Sequence, residues 1–222
     1  MKEYFKRQIE LWGEKRQANL AKKSILIVGC GGLGSSLGFS LGASGIGEIH
    51  LVDFDRVSLH NIHRQIAFTI EDEGALKAEV LKKCIQDRYD KVVVHTHTDS
   101  FDAFVKQDKV KVDLIIDATD NLPTRVNIDL YAKTKKTPWI YGSVEAFHGQ
   151  VCFFERSGFN AFNVQDRKPE GIAAPIVMHI ASLQANLALR YLVGLPIKKD
   201  YLYYLYFDEE GELRRQAFLM PV

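Results

Sequence analysis

The sequence has only three cysteines, Cys30, Cys84 and Cys152, and no Cys-x-x-Cys pair. That gives no basis for a disulfide framework or a four-cysteine zinc site. No apolar run approaches the roughly 20 residues that a membrane helix requires. The opening stretch, Met1 to Arg16, is charged and aromatic. It has neither the apolar centre nor the small-residue cleavage site of a signal peptide, so the expected location is the cytoplasm. Neither sign of charge is in excess: 29 Lys and Arg face 28 Asp and Glu, a net charge of +1. This balance argues against a nucleic-acid binder and against a membrane-surface binder. Internal repeats, low-complexity tracts and long charge blocks are also missing.

What is present is an ordinary globular composition, 46% hydrophobic and 26% charged over 222 residues. That length is read as one domain. Residues 3 to 20 read as helix. The run Ser24-Ile25-Leu26-Ile27-Val28 is continuously apolar after its serine, the pattern of a strand buried on both faces of a parallel sheet. Further strands are expected at 48–52, 92–96, 114–117, 138–141 and 149–155. Helices are expected at about 35–44, 75–88, 123–133 and 175–193, with irregular chain over 157–171. Tyr201 to Leu219 reads as two strands around Asp208-Glu209-Glu210-Gly211. The aromatic run Tyr201 to Phe207 fits a partner surface or a strand at a sheet edge. Alternating strands and helices argue for an α/β fold. The expected architecture is Rossmann-like: a mostly parallel sheet flanked by helices, with antiparallel strands toward the C-terminus. The N-terminal helix takes 1–20, the core 21–145, and the last strands and helix 146–222.

The first strand runs into Gly29, Cys30, Gly31, Gly32, Leu33 and Gly34, and a helix of small residues follows. Glycines there permit a tight turn and let backbone N–H groups approach phosphates, while the helix N-terminus favours negative charge. Asp53 ends the second strand, where a dinucleotide site holds ribose hydroxyls. Spacing alone would allow a nicotinamide dehydrogenase, but the chain has little room for a substrate domain.

After Asp53 comes Phe54-Asp55-Arg56-Val57-Ser58-Leu59-His60-Asn61-Ile62-His63-Arg64-Gln65, and Lys77 opens the next expected helix. Asp117, Asp120 and Asn121 lie at the end of another strand. These residues converge on one crevice if the strands are neighbours. The mixture suits ATP chemistry: Arg and Lys neutralise phosphate charge, and Mg²⁺ takes one or two protein oxygens. The plainer alternatives are a surface ion pair for Arg64 and a helix N-cap for Asp120, ahead of Pro123.

Taken in order, these segments resemble the ThiF/MoeB/HesA family, bacterial relatives of ubiquitin-activating enzymes. Arg7-Gln8-Ile9, Gly171-Ile172-Ala173-Ala174-Pro175 and Ser182-Leu183-Gln184-Ala185 add to the match. The resemblance implies roles. Gly31 and Gly34, with Gly29 and Gly32, would shape the nucleotide loop. Asp53 would hold the ribose, and Asn61, Arg64 and Lys77 would contact the triphosphate. Asp120 would bind Mg²⁺. Asp55, Gln65 and Asn121 would complete the nucleotide site, and Arg7 would reach it from the partner of a homodimer. The implied reaction is ATP-dependent adenylation of the C-terminal Gly-Gly carboxylate of a ThiS- or MoaD-like ubiquitin-fold sulfur carrier. It would serve thiamine or molybdopterin synthesis and release pyrophosphate.

The sequence also departs from that family. Many members bind structural zinc through two Cys-x-x-Cys pairs. Cysteine is missing around Phe159 to Asn163 and from the residues up to Val222, so no zinc is expected. Many carry a cysteine just before the Gly-x-x-Ala-Pro segment, where this chain reads Asp166-Arg167-Lys168-Pro169-Glu170. A covalent acyl intermediate there is excluded, and sulfur would come from a separate donor. Cys30, Cys84 and Cys152 read as packed structural thiols. The pairs His60/His63 and His95/His97 bring no third and fourth metal ligand in sequence. The competing readings are a binding module that keeps the fold without turnover and an activating enzyme for another acceptor.

Overall fold

The computed structural model describes residues 2–107, 110–162 and 171–222. Eight strands form one sheet: β1 (Ser24–Val28), β2 (Glu48–Val52), β3 (Val93–His97), β4 (Leu114–Asp117), β5 (Trp139–Glu145), β6 (His148–Phe154), β7 (Tyr201–Phe207) and β8 (Leu213–Leu219). Their order is β3-β2-β1-β4-β5-β6-β7-β8. Pairing is parallel from β3 to β5 and antiparallel from β5 to β8. The expected fold class and the switch in strand direction are both present.

The helices are α1 (Lys6–Trp12), α2 (Glu14–Leu20), α3 (Gly32–Gly42), α4 (Leu59–Ile62), α5 (Lys77–Arg88), α6 (Phe101–Gln107), α7 (Leu122–Lys135) and α8 (Ala174–Leu192). Period-2 alternation divides the apolar residues between the two faces of the sheet. Ile25 and Ile27 of β1 join one core with Leu37 of α3, Leu81 of α5 and Ile180 of α8. Leu26 and Val28 join the other with Phe104 of α6 and Ile128 of α7. The unbroken apolar run of β1 therefore reflects helices on both faces.

Three expectations need correction. The helix expected over 3–20 is two helices, broken at Gly13, whose φ of 86° belongs to the left-handed region that glycine tolerates. The helix α6 went unpredicted, because seven residues with only Phe101 and Phe104 buried carry too little periodicity. The aromatic run Tyr201–Phe207 is not at the sheet edge: β7 pairs with β6 and β8, and β8 forms the margin. The irregular stretch expected over 157–171 lies mostly outside the described residues.

Two starts matter for the site. α3 begins directly after β1, with Gly31 as a cap that has no side chain to offer. α7 begins at Asn121, whose Oδ1 accepts the Thr124 N–H at 2.9 Å, and Pro123 occupies the first turn. Both features favour helix initiation there.

Candidate functional site

β1 lies between β2 and β4, so strand order reverses at that point. Loops leaving β1 and β4 there run in opposite directions and open a crevice at the carboxyl ends of the strands. A cleft of about 800 Å³ occupies it. Its lining includes Gly29, Gly31, Gly32, Asp53, Asp55, Arg64, Gln65, Lys77, Asp120 and Asn121. The topology thus brings together ten of the residues singled out in the sequence.

The glycine loop is built for close approach. Gly29 has φ 96°, and a Cβ there would stand 2.6 Å from the Ala118 carbonyl oxygen. Gly34 lies outside the cleft lining, and a Cβ on it would collide with the Gly29 carbonyl. Its role is to let α3 start against the loop. Among the described residues, the N–H groups of Gly32, Leu33 and Gly34 find no backbone acceptor. They form the donor-rich helix start that suits phosphate.

Asp53 is tied into this loop. Its Oδ2 accepts the Cys30 N–H at 2.6 Å, and its Oδ1 accepts the Asp55 N–H at 2.7 Å. Burial pushes its carboxyl above the ordinary value, while these backbone bonds and Lys77 pull it down. Lys77 is buried at the start of α5, with Nζ 2.8 Å from Asp55 Oδ2. Arg64 donates to Asn61 Oδ1 at 2.9 Å, so Asn61 orients the guanidinium rather than lining the cleft itself. The plainer alternative for Arg64 fails: it has no carboxylate partner among the described residues.

Asp120 is exposed, and its carboxylate has no partner among the described residues. The cap it could have supplied to α7 is made by Asn121. Gln65 is 4% exposed and lines the cleft, yet its Oε1 has no partner among the described residues. A buried acceptor oxygen left unsatisfied beside an open cleft fits a hydrogen-bond donor on a polar ligand. Arg7 stands apart from the cleft. Its side chain is 90% exposed and pairs with Glu10 at 2.9 Å.

Arg125 and Gln184 carry roles in the structure that the sequence did not assign. Asp117, fully buried at the end of β4, pairs with Arg125 Nε at 3.2 Å and accepts the Thr119 N–H and hydroxyl. Burial pushes the Asp117 carboxyl up, and Arg125 draws it back. Arg125 also donates to the carbonyls of Thr119 and Gly142. Gln184 Nε2 donates to the Asp117 carbonyl at 2.7 Å. Together they fix the turn that presents Asp120. The available signal was the spacing from the Asn121 cap, which puts Arg125 one helical turn inside α7.

The thiols give the site no nucleophile. Cys30 and Cys152 are completely buried, and Cys84 donates to the Ala67 carbonyl at 3.4 Å. Burial raises all three above the ordinary thiol value. The stretch 166–170, where the sequence has no cysteine, lies outside the described residues.

The sequence profile of the ThiF family matches residues 5–219. The chain is 30% identical over 220 residues to an adenylyltransferase and sulfurtransferase MOCS3 of Caenorhabditis briggsae, covering 93% of this chain and 54% of that one. It is 30% identical over 190 residues to the sulfur carrier protein ThiS adenylyltransferase of Escherichia coli K12, covering 81% and 76%. The chain spans about half the length of the first curated relatives it matches. Its fold superposes on E. coli MccB crystallised with ATP at a TM-score of 0.85, with 20% identity, over 98% of this chain and 71% of that one.

Proposed function

Because this chain belongs to the ThiF family, we propose that it uses ATP to adenylate the C-terminal Gly-Gly carboxylate of a small ubiquitin-fold sulfur carrier. The setting is the cytoplasm, in thiamine or molybdopterin synthesis. One observation carries the reading: a glycine-loop helix start, Arg64, Lys77 and Asp120 all line one cleft. Two curated relatives are named for sulfur-carrier adenylation.

The chemistry follows from charge. A carboxylate is already ionised at neutral pH, so its oxygen attacks the α-phosphorus without a general base. The bond from α-phosphorus to the pyrophosphate oxygen breaks, giving an acyl-adenylate and pyrophosphate. Negative charge grows on the leaving group, and Arg64, Lys77 and the N–H groups at the start of α3 stabilise it. Asp53 accepts from the ribose hydroxyls. Gln65, with Oε1 as an unsatisfied acceptor, takes a hydrogen-bond donor of the nucleotide. Mg²⁺ held at Asp120 would supply further charge neutralisation at the phosphates. Sulfur then arrives from a separate donor, since residues 163–170 hold no cysteine.

Incubation with ATP, Mg²⁺ and each Gly-Gly-ending carrier, read by intact mass, tests this reading. One carrier should gain a single adenylyl group. ATP binding with every carrier unmodified would overturn it.

Arg7 belongs to the proposal through a homodimer, in which each subunit lends this arginine to the other's cleft. Arg7→Ala and Asp120→Ala should each be inactive alone. Refolded together, they should recover about a quarter of wild-type activity, because half the dimers carry one intact site. No recovery, or a monomer in light scattering, would remove Arg7 from the site.

A further inference from the structure

The edge of the sheet farthest from β8 carries a second cluster of ligating side chains. In sequence, His95 and His97 had no further partners. Parallel pairing of β2 with β3 sets His50 opposite His95 and Val52 opposite His97. Alternate residues share a face, so Glu48, His50, His95 and His97 all project from the same side of the sheet. Glu48 Oε1 lies 3.0 Å from His95 Nε2 and 3.4 Å from His50 Nε2. The other ring nitrogen of His50, Nδ1, is 3.1 Å from His97 Nε2. His97 is in turn held edge-on against Phe104, with ring centroids 4.7 Å apart.

We propose that Glu48, His50 and His95 bind one Zn²⁺ at the β2–β3 edge, through Glu48 Oε1 and the two Nε2 atoms. Two imidazoles and a carboxylate are a recurring zinc donor set that leaves a fourth position for water. In a tetrahedral zinc site with bonds near 2.0–2.1 Å, ligand atoms sit about 3.3 Å apart. The two distances from Glu48 match that separation. Among the described residues, this is the only group of three such side chains whose ligand atoms lie within 4.8 Å of one another.

Zinc requires neutral imidazoles. With the metal on His50 Nε2, the proton of that ring sits on Nδ1 and donates to His97 Nε2. Such an outer hydrogen bond orients a metal-binding histidine. The His50 and His95 rings are stacked within 17° of parallel. Closure therefore needs His95 to turn about its side-chain bonds, and its 46% exposure leaves room for that. The ion would clip the edge strand β3 to β2. It would lie at the amino end of β2, while Asp53 and the nucleotide cleft lie beyond its carboxyl end.

The test uses tag-free full chain without nucleotide. Co²⁺ is titrated while its visible absorption is followed, and Zn²⁺ is titrated by calorimetry. The expected result is one ion per chain. Affinity should fall at least about 100-fold in His95→Ala and in Glu48→Gln, and less in His97→Ala, which loses only an outer partner. Equimolar Zn²⁺ should raise the melting temperature of the wild type and not of His95→Ala. His95 is exposed, so that variant decides the matter even if Glu48→Gln fails to fold. Absence of one-to-one binding, or equal affinity in wild type and His95→Ala, would overturn the proposal. The four groups would then be a hydrogen-bonded cluster with Glu48 accepting from both rings.

Discussion

Asp120→Ala should lose at least about 1,000-fold of ATP–pyrophosphate exchange while its melting temperature moves little. The stability half follows from exposure: the carboxylate is on the surface, has no partner among the described residues, and leaves the capping of α7 to Asn121. A surface carboxylate with no structural bond costs little to remove. The activity half follows from position. Asp120 lies beyond the carboxyl end of β4 and lines the same cleft as Gly29 and Gly31 of the loop between β1 and α3. Removing it takes away the proposed Mg²⁺ ligand and leaves phosphate charge uncompensated. Exchange kinetics and a melting curve check both halves. Exchange retained above about a tenth of wild type would place the metal elsewhere.

Arg125→Ala should destabilise the chain by about 3–5 kcal/mol, because it strands the buried carboxylate of Asp117 without its cation. Among the described residues, Arg125 is the cation paired with Asp117. Arg125 is 6% exposed, Asp117 is fully buried, and the same side chain satisfies the carbonyls of Thr119 and Gly142. The effect should depend on pH with a definite sign. Burial already raises the Asp117 carboxyl, and Arg125 is the largest influence lowering it. Without Arg125, its folded-state value rises further above the unfolded one. A raised carboxyl favours the folded state below the unfolded value and loses that contribution as pH climbs through the folded value. The stability gap between wild type and Arg125→Ala should therefore narrow from pH 8 to pH 5. Denaturant melts across that range measure it, and a gap that widens on acidification would contradict the account.

Much of the site was legible because its chemistry is local. Gly29 to Gly34 sit in one turn, Asp53 to Gln65 in one segment, and Asp117 to Asn121 in another. The continuous apolar run of β1 identified a central strand, and this predicts that its loop faces those of its neighbours. The adjacency of β2, β1 and β4 then brought the three segments together. What escaped was what depends on tertiary pairing. The spacing of Arg125 from the Asn121 cap places it one turn inside α7, but does not say that its guanidinium turns inward, because charged helix residues are mostly exposed. Gln184 lies 67 residues from the Asp117 carbonyl it bonds. The Glu48–His50–His95 cluster needs the β2–β3 register, which two short His-x-His and Glu-x-His patterns do not specify. The sequence over α1 and α2 reads as one helix because a single glycine among charges interrupts periodicity only weakly.

ATP–pyrophosphate exchange by the wild-type chain, run with each Gly-Gly-ending ubiquitin-fold carrier in turn and with none, tests the central claim most directly. The account predicts exchange that requires ATP, Mg²⁺ and one particular carrier. Measurable ATP binding with no exchange above the carrier-free background, for every carrier, would contradict it.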